Sequence, residues 1–380
     1  MLLTRPILGE REKEVITSIR ETHEQLRFML RDAPPWHGYL HRIAFARNVQ
    51  ASTSIEGHNV SLDDAVAAID GSTSLEASDA DWNAVSNYRD ATTYVIQLSD
   101  DLHFQYSSPL LMSLHFIMMR HDLSAMPGLV RPGEAVVRSK SRLSVLPDDL
   151  DYQDVPNLLL ELVGGLNENN DDSPAIVQAG MAHLNMMLIH PFKDGNGRMA
   201  RELQTLVLAR ERTLAPAFSG IEEYLGRNTR GYYEALAEVF SGRSKGESDA
   251  RPWIRFVLVA HIRQAATLGR RIRESERLWE AIDEQRQHDG LQKRTMGSMY
   301  NAATGLQIRR PDHIRYAEVS ERVATSDLKK MVDAGLMRAV GERRGRHYVA
   351  ANRLRRLRLR TKEEHVPFPE PFEKTTSLII

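Results

Sequence analysis

The run HPFKDGNGRMAR, His190 to Arg201, sets a histidine, a carboxylate, an asparagine between two glycines and two arginines in one short stretch. The apolar segment AGMAHLNMMLI before it reads as a helix that ends at His190, because Pro191 disfavours helical continuation. A second helix begins near Asn196, so KDGNG is a loop that closes on a helix N-terminus. Glycines there let the backbone approach a ligand, and the free N–H groups with the positive end of the helix dipole form an anion site. The dipole alone supplies roughly 0.3–1 kcal/mol, so polyphosphate binding needs more charge, which Arg198 and Arg201, one turn apart, provide. Asp194 beside that site suits Mg²⁺, which prefers one or two carboxylates plus substrate phosphates. His190, with an ordinary pKa near 6.5, suits a general base on a hydroxyl. The set fits metal-assisted phosphoryl or nucleotidyl transfer.

Helices must position these residues. Apolar residues recur at helical spacing in EREKEVITSIRETHEQLRFML, DDAVAAID, WNAVSNYRDATTYVIQL, SPLLMSLHFIMMR, VPNLLLELVGGLN, SPAIVQAGMAHLNMMLI, ARELQTLVLARER and RPWIRFVLVAHIRQAATLGRRIRESERLWEAI. The fold class expected is mainly α. MPGLVRPGEAVVRSK breaks the pattern with glycines, prolines and a short β-branched run, and reads as a small hairpin. SGRSKGESD reads as a flexible loop. The 380 residues allow two or three domains, and the absence of cysteine removes disulfides, a thiolate nucleophile and cysteine-held metals. No apolar run approaches the roughly 20 residues of a membrane span and the N-terminus turns charged early, so no membrane contact and a cytoplasmic setting are expected. The net charge of -1 conceals an asymmetry: Leu291 to Arg360 holds 17 Lys and Arg against 6 Asp and Glu, a basic module on an acidic body.

The stretch from His190 to Arg201 resembles the Fic-domain motif at every defining position: histidine, proline, phenylalanine, an acidic residue, GNGR and a further arginine. The resemblance implies a compact helical bundle that moves AMP from ATP to a Ser, Thr or Tyr hydroxyl of a target protein. It implies His190 as base on that hydroxyl, Asp194 as Mg²⁺ ligand, Gly195, Asn196 and Gly197 as the anion hole, and Arg198 and Arg201 as phosphate clamps. Phe192 is read as a core anchor. STSIEG, Ser52 to Gly57, resembles the inhibitory helix of many Fic proteins, in which Glu56 pairs with Arg201 and blocks seating of the ATP γ-phosphate. Glu134, Ala135, Val136, Val137 and Arg138 stand where the family carries its flap, which aligns the target by strand addition. Tyr232 and Tyr233 resemble the segment flanking the adenine, while Phe240 and Ser241 stand where some relatives carry an adenine-contacting asparagine, leaving base selectivity open. His183 is read as packed and hydrogen-bonded rather than metal-bound.

HIRYAEVSERVATSDLKKMVDAGLMRAVGERRGRHYVA reads as helix, turn, helix and two strands, and resembles a winged-helix domain with TSDLKKMVDAGLM as its recognition-type helix and Arg343, Arg344 and Arg346 in the wing. Such a module suits DNA through its phosphate backbone, and equally suits protein docking or a homodimer surface. The expected organisation is an N-terminal helical region over residues 1–95 carrying the inhibitory helix, a catalytic core over 96–270, the winged helix over 285–360 and a tail over 361–380. The function expected is protein adenylyl transfer, self-inhibited by Glu56, with self-modification as one outcome. A nucleotide-sensing DNA-binding regulator, another nucleotide donor, and removal of AMP are the alternatives.

Overall fold

The computed structural model describes residues 1–134, 151–168, 173–212, 214–243, 249–342, 345–364, 368 and 370–372. The chain is mainly helical. Its helices are α1 (Glu10–Leu30), α2 (His37–Ile55), α3 (Leu62–Ile69), α4 (Asp79–Ser99), α5 (Ser108–Met119), α6 (Val155–Asn167), α7 (Ala175–Ile189) and α8 (Asn196–Arg210). They continue with α9 (Pro216–Ser219), α10 (Glu222–Arg227), α11 (Thr229–Arg243), α12 (Arg251–His288), α13 (Met296–Ala303), α14 (Arg310–Ala317), α15 (Glu321–Asp333) and α16 (Asn352–Thr361). The strands β1 (Met337–Val340) and β2 (His347–Ala350) pair antiparallel, Met337 opposite Ala350 and Val340 opposite His347. Local chemistry fixes many helix starts. Ser61, Ser78 and Ser107 each accept a main-chain N–H of the first turn of α3, α4 and α5, satisfying a donor that the helix itself leaves open.

The helices divide into two units. The first takes the described residues within Met1–Phe28, Ala44–Ala266 and Phe368–Ile380. Its centre is α7, apolar all round and buried at every position from Ile176 to Ile189 except Gln178. A helix with no polar face must be covered on all sides, and α6 and α8 pack against it while α4 and α5 pack on one another and on α8. The tail returns to this unit: Arg11 Nε donates to Pro371 O at 2.6 Å, Arg263 pairs with Glu370 at 2.9 Å, and Arg255 lies over the Phe372 ring.

The second unit takes Met29–Ile43 and the described residues of Thr267–Pro367. Thus residues 29–43, early in the sequence, pack with the C-terminal part of the chain. Tyr39 explains why: its ring lies 5.7 Å from both Trp279 and Tyr300, and it meets Tyr316 edge-on at 6.0 Å. The helix α14, a turn, α15 and the β1–β2 ribbon follow one another, with Ile308 bridging to Tyr348. Ser298, His313 and Asp327 form a buried network, Ser298 Oγ 2.8 Å from His313 Nδ1, and exposed Arg294 closes it, holding Asp327 with two bonds. Ser298 and His313 are fully buried, so this set braces the unit and offers no reactive surface. Between Met126 and Glu134 the chain makes turns without a strand; Ala135, Val136, Val137 and Arg138 of the expected hairpin, and Arg343 and Arg344 of the wing, lie outside the described residues.

Three histidines of the first unit, His115, His183 and His261, have no more than 1% of their surface exposed. Burial depresses their pKa values to about 4, 3 and 3. In the unfolded chain they bind a proton near pH 6.5, so the folded state binds fewer protons as pH falls below that value. Their contribution to stability is full above pH 6.5 and is lost as pH drops toward 4, at about 1.4 kcal/mol per histidine per pH unit. Glu202, raised by burial to about 8, and Glu222, also raised, act in the opposite direction but are fewer. Denaturant midpoints measured at pH 7.5, 6.5 and 5.5 should therefore hold between the first two and drop at the third; an unchanged or higher midpoint at 5.5 would contradict buried neutral histidines.

Candidate active site

The candidate loop hangs between α7 and α8. His190 caps α7 in the left-handed conformation (φ +47°), returning its N–H to Met186 O, and Pro191 prevents another turn. Gly195 begins α8 with φ +78°, and a side chain there would press on Met119 Sδ and His115. The loop between them is held by side chains from distant parts of the sequence. Arg131 donates from Nε to His190 O and from its main-chain N–H to Pro191 O, both at 2.8 Å. His115 stacks on Phe192 with 3.8 Å between ring centres; its Nδ1 accepts the Gly128 N–H, which leaves Nε2–H to donate to Asp194 O at 2.9 Å. Lys193 Nζ reaches Ser124 O. Phe192 is buried, the core anchor expected of it.

Asn196 has a role that the sequence reading did not assign. Its Oδ1 accepts the Phe192 N–H at 2.9 Å and its Nδ2 donates to Phe192 O at 2.7 Å. The side chain staples the loop with Oδ1 and one Nδ2 proton, and the Gly195 N–H is taken by Asp194 Oδ1, which leaves the main-chain N–H groups of Asn196 and Gly197 at the start of α8 for an anion.

The arginines stand on the buried face of α8, each 1% exposed. Arg198 Nη2 lies 3.9 Å from Asp194 Oδ2, and its Nε and Nη1 have no hydrogen-bond partner among the described residues. Arg201 donates Nε to Ser52 Oγ at 2.8 Å, and Nη2 to Ser52 O at 3.0 Å and Glu56 Oε1 at 2.7 Å, while Nη1 is unpartnered among the described residues. Buried donors left open are costly and call for an anion. Glu56 supplies one. Its carboxylate rests against the Cα of Gly197, where any side chain would collide with Oε1, so it sits at the N-terminus of α8. Burial opposes its charge, but Arg201 and Arg198 outweigh this and hold the carboxyl below its ordinary range.

Asn48 and Ser52 on α2 and Glu56, the residue after its end at Ile55, stand at intervals of one turn. Asn48, missed in the sequence, donates to Ala217 O at 3.2 Å. Gly57, with φ +93°, follows the helix end. His190 is driven down to about pKa 4 by burial, so it is neutral at neutral pH and able to accept a proton. Asp194 is 62% exposed at its side chain, with Oδ1 accepting the Gly195 N–H at 2.7 Å. No cluster of three His, Cys, Asp or Glu able to hold a metal occurs among the described residues. A single exposed carboxylate beside open phosphate donors fits Mg²⁺, whose remaining ligands come from phosphates and water.

Of the two tyrosines expected beside a base, Tyr233 is half-buried. Tyr232 requires a correction. It is completely buried, its hydroxyl 3.0 Å from His183 Nε2, with Trp253 and Phe256 around its ring, and is a core residue here. His183 has both nitrogens engaged, the other with Gln204 Oε1 at 2.9 Å, as expected of a packed histidine. Glu134, the described end of the flap segment, is exposed.

Residues 106–208 match the model of the Fic/DOC family. The matched segment contains the whole loop and both arginines. The protein adenylyltransferase Fic of Nematostella vectensis is 25% identical over 267 residues, covering 66% of this chain and 55% of that protein. Protein adenylyltransferase fic-1 of Caenorhabditis briggsae is 34% identical over 100 residues, 26% of this chain and 17% of that one. The chain therefore spans only part of these curated relatives. A crystal structure of a Fic family protein from Desulfovibrio desulfuricans superposes with a TM-score of 0.57 at 22% identity over 92% of this chain and 98% of that chain, a likeness of fold.

Replacing Asn196 with alanine strands the Phe192 N–H and C=O in a buried loop. The expected cost is about 2–4 kcal/mol of stability, read from the denaturant midpoint. A change under half a kilocalorie would mean that the staple does not hold this loop.

Proposed function

We propose that this chain is a Fic-type protein adenylyltransferase held in check by Glu56. One observation carries the reading: the Glu56 carboxylate occupies the N-terminus of α8 and pairs with Arg201, the place and partner that a nucleotide phosphate would take. With Glu56 withdrawn, Arg198 and Arg201 clamp the ATP phosphates, and the Gly195, Asn196 and Gly197 main chain faces them. Asp194 would hold Mg²⁺, which offsets phosphate charge during transfer. A target's Ser, Thr or Tyr oxygen bonds to the α-phosphorus, the bond from that phosphorus to pyrophosphate breaks, and the hydroxyl proton passes to neutral His190. The flap segment, Glu134 onward, aligns the target's extended backbone. Half-buried Tyr233 borders the base side.

The test follows transfer of label from α-labelled ATP in wild type, Glu56→Gly and Glu56→Gly with His190→Ala, all checked for folding. An inhibitory pair holding the site 99% closed is worth about 2.7 kcal/mol, so Glu56→Gly should raise self-modification by about 100-fold. Loss of the base should lower it about 10²–10⁴-fold. Because burial places His190 near pKa 4, kcat/KM should persist well below pH 6.5 and fall only as the imidazole protonates. No label in folded Glu56→Gly would sink the reading in favour of another donor or of AMP removal.

For the second unit the reading is a winged helix that binds DNA, recruiting the enzyme or, in the alternative, making it a nucleotide-sensing regulator. The observation in favour is a set of exposed cations, Arg322, Lys329 and Lys330 on α15, Arg338 on β1 and Arg346 before β2, none ion-paired with a described residue. If all five meet phosphates, log K for duplex binding should fall with log salt at a slope of about −4.5. A homodimer or protein-docking role would show no duplex binding at low salt.

A further inference from the structure

Behind Arg201 lie two carboxyls for which the transfer reaction has no use. Glu202 follows Arg201 on α8 and Glu222 opens α10; they are 0% and 4% exposed. Each meets a threonine in the same way. Thr92 Oγ is 3.0 Å from Glu202 Oε2 and also 3.0 Å from Tyr88 O, one turn back on α4. Thr205 Oγ is 2.8 Å from Glu222 Oε1 and 3.1 Å from Arg201 O. A threonine hydroxyl owns one proton. It can serve a main-chain carbonyl and a carboxylate together only as a shared, three-centre bond, so with both glutamates ionised each triad has a single proton among three oxygens.

A protonated carboxyl resolves both triads. The acid O–H donates to the threonine oxygen, and the threonine donates to its carbonyl. Charge points the same way. Arg201 is already committed to Glu56, and at Glu202 burial outweighs the Thr92 and Tyr88 hydroxyls that favour the charged form, so ionisation there is costly. The charged or titratable groups facing the pair are Tyr88 on α4, Arg201 on α8, and each glutamate toward the other.

We propose that Glu202 and Glu222 are kept as neutral carboxylic acids and act as positioning residues, leaving the charge of Arg201 to the nucleotide phosphates; this rests on the transferase reading. Ionised, either would stand beside Arg201 as a second internal competitor, drawing the guanidinium back from the phosphate as Glu56 does from the front. Burial with the neighbouring carboxyl drives Glu202 to about pKa 8, which sets the pH at which the competitor appears.

Two readouts decide the matter. Infrared spectra of the nucleotide-free chain at pH 7 should contain a protonated-carboxyl band that disappears in Glu202→Gln with Glu222→Gln. Glutamine carries an N–H where the acid carries its O–H, so the threonine triads and the melting temperature should survive. In the Glu56→Gly background, ATP affinity measured calorimetrically should fall about tenfold between pH 7 and pH 9, as the neutral fraction falls. With both glutamines added, affinity at pH 7 should be retained and the alkaline fall should shrink to under about twofold. Absence of the band, or an alkaline fall unchanged in the glutamine variant, would overturn the proposal, as would loss of ATP binding by that variant at pH 7 with folding intact. Failure of every variant to bind ATP while the band is present would overturn the transferase reading and the positioning role, leaving protonation itself established.

Discussion

A guanidinium with no access to water is the constraint around which this molecule is arranged. The Arg201 side chain is wholly buried, and an unpaired buried charge costs several kcal/mol. Something anionic must therefore always be at hand. In the nucleotide-free chain Glu56 is that anion, and α2 is built to deliver it. Asn48, Ser52 and Glu56 fall on one stripe, the first tied to Ala217 O and the other two to Arg201. The pairing so understood is a solvation problem: the carboxylate stays because the arginine needs it, and on the proposed function a nucleotide must bring enough negative charge to take its place.

The loop that presents His190 obeys a related demand for rigidity. On the proposed function, a base and two phosphate clamps are useful only if their separation is fixed before substrate arrives. Four independent fastenings achieve this: Arg131 on two carbonyls, Asn196 on both polar groups of Phe192, His115 against the Phe192 ring and Asp194 O, and Lys193 on Ser124. His115 acts in one tautomer only, since Gly128 donates to its Nδ1. Its depressed pKa is part of that function, for a charged imidazole could not accept the Gly128 proton.

Residues whose partners are near in sequence were the readable ones. His190 through Arg201 forms a helix end, a loop and a helix start within one run, and proline, glycine and charge spacing suffice to describe it. Ser52 and Glu56 were readable through resemblance to a known segment, not through spacing. Asn48, Arg131 and His115 were not, because each looks ordinary until a distant chain segment is laid against it. The tail around Phe368 to Phe372 and the early residues 29–43 were hidden for the same reason: a few aromatic and arginine contacts decide which unit they join. Tyr232 shows the opposite hazard. Helical spacing makes a tyrosine equally fit for core or site, and only its burial against His183 and Trp253 settles which.

Glu202 and Glu222 add the converse of the Arg201 constraint. On the proposed function, a protein that must keep Arg201 free for phosphate cannot surround it with carboxylates, yet Glu202 on α8 and Glu222 on α10 are buried within its field. The conflict disappears if they carry protons, and the threonine hydroxyls at Thr92 and Thr205 are placed to receive them. Low dielectric then serves both ends. It raises the cost of ionising the two acids, and it strengthens the attraction of Arg201 for the anion paired with it. The strength of the Glu56 pair and the neutrality of the acids behind it thus share a single cause, the exclusion of water from the buried face of α8.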